Sequence, residues 1–349
     1  MKKKKLIYIL LFIILLLALI ISGILFVLLK PSSKGTIVKG EANRVTIPSL
    51  KIIDEKSDSR SIAVMINNHN YARPNHAGLQ DAYVVYEVIV EGGITRLMAI
   101  FKDASTERIG SVRSSRHNFL DYALEYDAIY VHYGWSKFAK NDISNFKVNN
   151  INGLYDSGFW RDKTLKVPSE HTAFTNIENI VATASKKGYR LKSDKELPLH
   201  YRVFPVNINT EDSIKADKVS IPYSSYMTTS YTYDENTRLY LRFANGKEHK
   251  DAITKKQYTA KNIIIMKVKN YSIDSYGRQN LDTAGSGEGY YITNGYARKI
   301  TWKKESRTSK TTYHYLDGEE VILNDGNTFI QVQPIDKKTN ITSLETNDS

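Results

Sequence analysis

Fifteen residues in the first half of the chain, Glu107–Asp121 (ERIGSVRSSRHNFLD), concentrate Arg108, Arg113, Arg116, His117 and Asp121. The arginines flank Gly110 and three serines, just before Phe119, Leu120, Ala123 and Leu124 recur at helical spacing. A helix start presents free backbone N–H groups and a partial positive charge. Guanidinium adds planar, bidentate donors suited to phosphate or carboxylate. Chemically this is an anion-binding pattern. The competing reading is structural: the arginines pair with Glu87, Glu91, Asp121 or Asp127 and hold the sheet ends together.

Glu87 and Glu91 stand four apart in the apolar run Ala82–Glu91 (AYVVYEVIVE), so strand alternation puts them on one side. Arg96 follows the Gly92-Gly93 turn and could sit opposite them. A carboxylate in so apolar a run is costly unless paired. It is half of a buried ion pair, or a general base or metal ligand with a shifted pKa. His132 closes the run Asp127–Tyr133 (DAIYVHY) and is either a packing histidine or an acid/base. His171 stands in a loop, as a surface residue or a ligand contact. The catalytic candidates are therefore Glu87 and His132. The ligand-binding candidates are Arg96, Arg113, Arg116, Glu91, His117, Asp121 and His171.

No metal and no cofactor are expected. The eight His are scattered without metal-site spacing. There is no G-x-S-x-G, no H-E-x-x-H, no P-loop and no dinucleotide fingerprint. Asp282–Gly289 (DTAGSGEG) is Gly-rich but lacks the Lys and the helix of a phosphate loop, so it reads as a β-connection. Ser114 or Ser115 with His132 and Asp121 can be written as a triad, with no elbow motif behind it.

The elements that must position these residues follow from periodicity. Ser61–Ile66 reads as a buried strand. Ala82–Glu91 and Ile94–Phe101 read as a hairpin about Gly92-Gly93. Ser115–Tyr126 reads as a helix capped by Ser114 or Ser115, and Asp127–Tyr133 as a strand. Thr175–Lys187 reads as a helix with Thr175 and Glu178 at capping-box spacing and Gly188 at its end. From Asp217 the grammar changes to short Tyr/Ile/Val runs between Asn-Gly and Asp-Gly turns. Strand candidates there are 238–243, 262–269, 289–293, 298–303, 311–315 and 328–332. The fold class is an α/β (α+β) domain with a mixed sheet over 61–190, then a β-rich domain over 191–335, with a frayed tail at 336–349. Second-half strands could also complete the first half's sheet.

The chain has 349 residues, 25% charged and 41% hydrophobic, enough for a sizeable core. It has no Cys, which removes disulfides, thiolate chemistry and cysteine lipidation. Of the net charge of +12, five come from Lys2, Lys3, Lys4, Lys5 and Lys30, so the body is only moderately basic. No specific nucleic-acid partner is expected from that balance. Leu6–Leu29 is 24 residues without a charge, long enough to cross a hydrocarbon core of about 30 Å. It predicts a single N-terminal transmembrane helix at 6–29, after a basic tail at 1–5 and before a linker at 30–60. The lysines keep the N-terminus in the cytoplasm and put the body outside the cell membrane. A cleavable signal would have a shorter apolar region ending in small residues.

Two blocks resemble a known family. IAVMINNHNYARPNHAGLQDAYVVYEVIVEGGITRLMAIF with ERIGSVRSSRHNFLDYALEYDAIYVHYGWS is similar to the N-terminal domain, and GSGEGYYITNGYARKITWKK with YLDGEEVILNDGNTFIQVQP to the C-terminal domain, of the YerB-like family built on domain of unknown function 3048. The resemblance implies an extracytoplasmic lipoprotein or membrane-anchored protein of a Gram-positive bacterium. It marks Glu87, Glu91, Arg96, Arg113, Arg116 and His132 as motif positions, with no activity attached. The chain departs from the family in lacking a lipobox Cys, so a transmembrane anchor must replace lipidation. It also departs in Glu170–Thr175 (EHTAFT), where the family shows His-Asn and a Tyr.

Two functions remain open. One is a membrane-anchored protein that binds an anionic cell-envelope ligand or a protein partner, to which 24 Tyr would supply rigid amphipathic contacts. The other is an enzyme on a phosphate-containing envelope glycan, with arginines on phosphate and Glu87 or His132 as acid/base. Either way, protease added to intact protoplasts should digest the body while it stays membrane-bound. A soluble mature form starting near residue 24 or later would overturn the anchor.

Overall fold

The computed structural model describes residues 49–344. The basic tail, the expected span at 6–29 and most of the linker lie outside the described residues. Among the described residues no helix is long and apolar enough to cross a membrane. The first half contributes β1 (Ile62–Asn67), β2 (Val84–Ile89), β3 (Thr95–Phe101), α1 (His117–Glu125), β4 (Ile129–His132), α2 (Lys137–Asn145), β5 (Asn150–Asn152) and α3 (Ile177–Lys186). The second half adds β6 (Lys218–Pro222), β7 (Thr228–Asp234), β8 (Leu239–Ala244), β9 (Asn262–Val268), β10 (Gly285–Thr293), β11 (Tyr296–Lys304), β12 (Thr311–Tyr315), β13 (Thr328–Pro334) and β14 (Asn340–Thr342). The result is a sheet-rich α+β fold.

One mixed sheet of eleven strands spans both halves. Its order is Ile214–Lys215, β11, β10, β9, β13, β2, β3, β1, β4, β5, with β12 on β11. β13 lies between β2 and β9 and is parallel to both, so second-half strands complete the first half's sheet. β3 is antiparallel to β1 and β2, and β4 and β5 follow β1 in parallel. Hence β1, β2, β4, β5, β9 and β13 share one direction and end on one edge. The β2–β3 hairpin turns on Gly92 and Gly93, both at positive φ (70° and 71°), where a side chain is disfavoured.

β1, β2 and β3 are mostly apolar and buried at every position, so the sheet is covered on both faces. Alternation along β2 shows how each face is covered. Tyr86 points to α1, where it stacks on Tyr122 (4.6 Å between ring centroids). Glu87 points the other way, to a second sheet of six strands built on β8, β7, β6 and β14. That sheet adheres through Tyr231, edge-on to Phe329 of β13, and through Tyr223, whose hydroxyl donates to Gln331 (3.1 Å).

Several expectations change. α1 starts at His117, with Arg116 at the cap position and no side-chain cap. Ser114 donates instead to the Tyr133 carbonyl, and Ser115 pairs with the Tyr130 hydroxyl. α3 is capped by Asn176, which accepts the Asn179 amide at 2.7 Å, because Thr175 belongs to a short strand, Ala173–Thr175. α2 gave no clear signal because only Ala139 and Ile143 are buried along it. The linker is docked before residue 60: Leu50 and Ile53 are buried, and the amides of Lys51 and Ile52 donate to Asp325. The tail is not frayed throughout, since β14 pairs with β6 and half-buries Ile341 beside Val219. The Gly-rich stretch runs into β10 from Gly285.

The two sheets meet over Glu87 and Arg242, both fully buried and 2.7 Å apart. Removing one member of such a pair typically costs about 3–5 kcal/mol, whereas replacing both costs far less. Glu87→Leu and Arg242→Met should each lower unfolding stability by that order in urea titrations. The double variant Glu87→Leu/Arg242→Met should lose less than the sum. Additive losses would show that the pair is not coupled.

Candidate functional site

The carboxyl ends of β1, β2, β4 and β5 share an edge, and irregular segments cluster there. Residues 109–116 cross it in extended form. The Arg113 amide donates to Met65 of β1 (2.9 Å), and the Arg113 carbonyl accepts the Tyr133 amide just after β4 (3.0 Å). The crossing needs Gly110, because a Cβ there would lie 2.7 Å from the Phe174 ring and 2.9 Å from the Ala173 carbonyl. This backbone route delivers Arg113 and Arg116 to the same edge as Arg96, the second residue of β3.

Glu91 organises two of these arginines. Arg96 Nη2 reaches its carboxylate at 3.0 Å and Arg116 Nε at 2.8 Å, with Arg116 Nη2 also bonded. Arg96 further donates to the Ser114 carbonyl. Partial burial would raise the Glu91 carboxyl, but Arg116 and Arg96 overcome it and hold it down at about 2. Burial, with Arg116 beside it, brings Arg96 down to about 9, still protonated at pH 7.

Arg113 is different. It is half-buried, and its Nη1 donates to the Glu170 carbonyl (3.1 Å) rather than to any carboxylate. Arg161 is exposed, lies 4.6 Å over the Tyr133 ring and donates to Ser169 O and Thr172 Oγ1. Close to Arg113 stands His171, 5% exposed. The Asn67 side chain takes the His69 amide on Oδ1 (3.1 Å), so its Nδ2 faces His171 Nδ1 (2.7 Å). His171 Nδ1 therefore accepts, and the proton sits on Nε2, which has no hydrogen-bond partner among the described residues. His171 stacks on His69 (5.0 Å, 14°) with Tyr71 edge-on (5.8 Å). Burial lowers both imidazoles, helped by Arg73 and Arg113 at His69 and by His69 and Arg113 at His171.

On the far side of His69, Arg73 lines a hollow of about 220 Å³ with Asn68, Tyr226 and Asn245. Its Nη1 donates to the Asn68 carbonyl (3.0 Å). A larger groove of about 1020 Å³ lies elsewhere, but four basic and four acidic side chains line it, so it has no charge preference. The edge has one. Arg73, Arg96, Arg113, Arg116 and Arg161 stand there against Glu91 and the exposed Glu170.

Arg96, Arg113, Arg116, Glu91 and His171 are thus brought together. The remaining candidates are elsewhere. Arg96 cannot face Glu87, because it pairs with Val88 across the hairpin and so points to the other side. Glu87 is fully buried between the sheets, bound by Arg242, Thr229, Thr95 and Asn68. His132 is buried: its Nδ1 donates to the Gly134 carbonyl (2.7 Å), and its Nε2 lies 3.1 Å from the Asn150 side-chain amide. Burial brings it down to about 4, so it is neutral. Asp121 and His117 join α1 to the second half, through Arg307 and Thr283 and through Asn280. Arg108 pairs with Asp162 at 2.6 Å. Sequence reasoning missed Asn67, His69, Tyr71, Arg73 and Arg161. The first four lie in one polar run, NNHNYARPNH, directly after an apolar strand, and that run was the available signal.

The family model described as the N-terminal domain of a protein of unknown function (DUF3048) matches residues 49–190, and its C-terminal counterpart matches 219–330. The chain is similar to a Bacillus subtilis protein described as "Putative lipoprotein YerB", at 31% identity over 319 residues, 88% of this chain and 92% of that protein. It is also similar to the crystal structure of YerB protein from Bacillus subtilis, with a TM-score of 0.73 and 30% identity over 85% of this chain and 99% of that one.

Glu91 generates a pH prediction. Its carboxyl falls from 4.5 to about 2 on folding, so it contributes stability above 4.5 that is lost as pH drops through 2. The contribution is about 3 kcal/mol. Glu91→Gln should lower the melting temperature at pH 7 and narrow its gap to the parent protein between pH 4.5 and 2. A gap that stays constant across that window would refute the pairing.

Proposed function

The chain belongs to the DUF3048 family, carrying both of its domains, and on that footing we propose that it is a membrane-anchored receptor for an anionic polymer of the cell envelope. The anchor is the run Leu6–Leu29, with the N-terminus in the cytoplasm and the body outside. A relative described as a lipoprotein agrees with that side of the membrane. This chain has no Cys to carry a lipid, so the apolar run takes over that role.

One observation carries the binding reading. Among the described residues, every buried or half-buried arginine has a carboxylate within ion-pair distance except Arg73 and Arg113. A partly desolvated cation without a counter-ion is costly, and an anionic ligand offsets that cost. These two flank the His69–His171 stack, with Arg161 beside Arg113. Several separated cations suit a repeating anion better than a single one. Glu87 and His132 are both spent on interior contacts, which favours binding over acid/base chemistry at this edge.

The test uses the full chain in detergent with inorganic polyphosphate as probe. Arg113→Ala and Arg161→Ala should each weaken binding, Arg113→Ala by about tenfold or more, since a charge-assisted hydrogen bond is worth about 1.5–3 kcal/mol. Binding should weaken with salt, because exposed charge is screened over about 10 Å at 0.1 M. The melting temperature should hardly move. A sharply lowered melting temperature with unchanged binding would return both arginines to a structural role.

A further inference from the structure

The cationic edge continues into an aromatic surface. Tyr133, under the Arg161 guanidinium, is followed by Gly134 and Trp135. Trp135 lies alongside Ser115, two residues from Arg113, in a parallel bridge. Its ring centroid is 6.0 Å from that of Tyr155, at 41°. Tyr155 is 75% exposed and Leu154 52%. Leu154 closes the gap to the arginines: a Cβ on Gly134 would meet Leu154 Cδ1 at 3.5 Å and Ser114 Oγ at 3.2 Å.

The shelf is rigid from below. His132 backs Trp135 at 5.4 Å and is itself locked by the Gly134 carbonyl and Asn150. Asn152 Oδ1 accepts the amides of both Gly134 (2.9 Å) and Leu154 (3.1 Å), tying the two loops together. Asp156 in turn accepts the Asn152 amide at 2.7 Å. So His132 and Asn152, at the ends of β4 and β5, fix the shelf relative to Arg113. At its outer margin the Lys140 ammonium lies 5.9 Å from the Trp135 ring.

We propose that this shelf seats a sugar ring whose phosphate lies on Arg113 and Arg161, so that the ligand is a phosphorylated glycan. The inference rests on the anion-binding reading above and adds the ligand's second chemical group. A sugar presents an apolar C–H face to an aromatic ring and hydroxyls at its rim. Tyr and Trp offer that face at low entropic cost. Ser114 Oγ and the Lys140 ammonium supply polar contacts at the margin. A protein partner is disfavoured by size, because a stable interface takes about 800 Å² from each partner. The apolar surface here is the exposed Leu154 and Tyr155 with the half-buried Trp135, the scale of one ring.

The test measures affinity of the full chain in detergent by titration calorimetry, with glucose 1-phosphate and inorganic phosphate as probes. Glucose 1-phosphate should bind about tenfold tighter than phosphate. Tyr155→Ala should remove that advantage and leave phosphate binding unchanged, while Tyr155→Phe keeps it. Arg113→Ala should weaken both probes. Tyr155 is exposed, so its loss should leave the melting temperature in place. Equal affinity for the two probes, or a Tyr155→Ala variant that keeps the advantage, would overturn the shelf while sparing the anion site. Failure of both probes to bind would overturn the anion site and the shelf with it.

Discussion

A carboxylate with no access to water sets the terms for the rest of this fold. Glu87 is fully buried in the middle of β2 and must be compensated where it stands. Arg242 of β8 supplies the charge, and Thr229, Thr95 and Asn68 complete the hydrogen bonds. Those partners come from both sheets and from positions up to 155 residues away in sequence. Arg242 cannot leave without stranding Glu87, so the pair fixes how the second sheet sits on the first. A buried pair is weak evidence for net stability, and in some proteins its role is specificity of packing. Here the specificity is the register of β7 and β8 over β2.

The same pair extends into a line of buried imidazoles. Arg242 Nε donates to His249 Nδ1 (3.0 Å), which leaves the His249 proton on Nε2 to donate to His76 Nδ1 (2.8 Å). His76 Nε2 then donates to the Asn67 carbonyl. Each imidazole in this chain has one donor and one acceptor role filled, which requires both to be neutral. Burial enforces that, holding His76 down at about 3 and His249 well below its ordinary value. The line ends on the Asn67 backbone carbonyl. The Asn67 side chain is oriented separately, by the His69 amide on its Oδ1, and it is this that presents Nδ2 to the buried His171 and sets its tautomer.

Much of the sheet was legible in the sequence and little of its wiring was. Apolar runs marked β1, β2, β3, β4 and β9, which are buried on both faces, and alternation of buried and exposed positions marked β11 and β12. α2 and β5 were not legible: one buries only two side chains and the other is three residues long. Arg96, Arg113, Arg116, Glu91 and His171 were recognised by type and brought together by chain crossings that no local pattern encodes. Glu87 was recognised as a costly carboxylate, but its partner Arg242 belongs to a strand far along the chain. Asn67, His69 and Arg73 were passed over because asparagine and histidine next to proline read as loop, and only the fold shows that this loop covers the edge.

Glu91 explains why the edge stays cationic. One carboxylate serves both Arg96 and Arg116, so the pairing that secures the β2–β3 turn against the start of α1 already leaves one positive charge over. A second carboxylate is close by in sequence terms, for Glu170 adjoins His171. Yet Glu170 is exposed and forms no ion pair with Arg113, which takes its backbone carbonyl instead. The backbone oxygen satisfies one N–H and neutralises nothing. Elsewhere buried and half-buried arginines are closed by carboxylates: Arg307 has Asp121 and Asp142, and Arg298 has Asp212 and Asp317. Against that habit, two half-buried guanidiniums on one edge, Arg73 and Arg113, have no carboxylate within ion-pair distance among the described residues, and the His171 beside them keeps an N–H with no partner there.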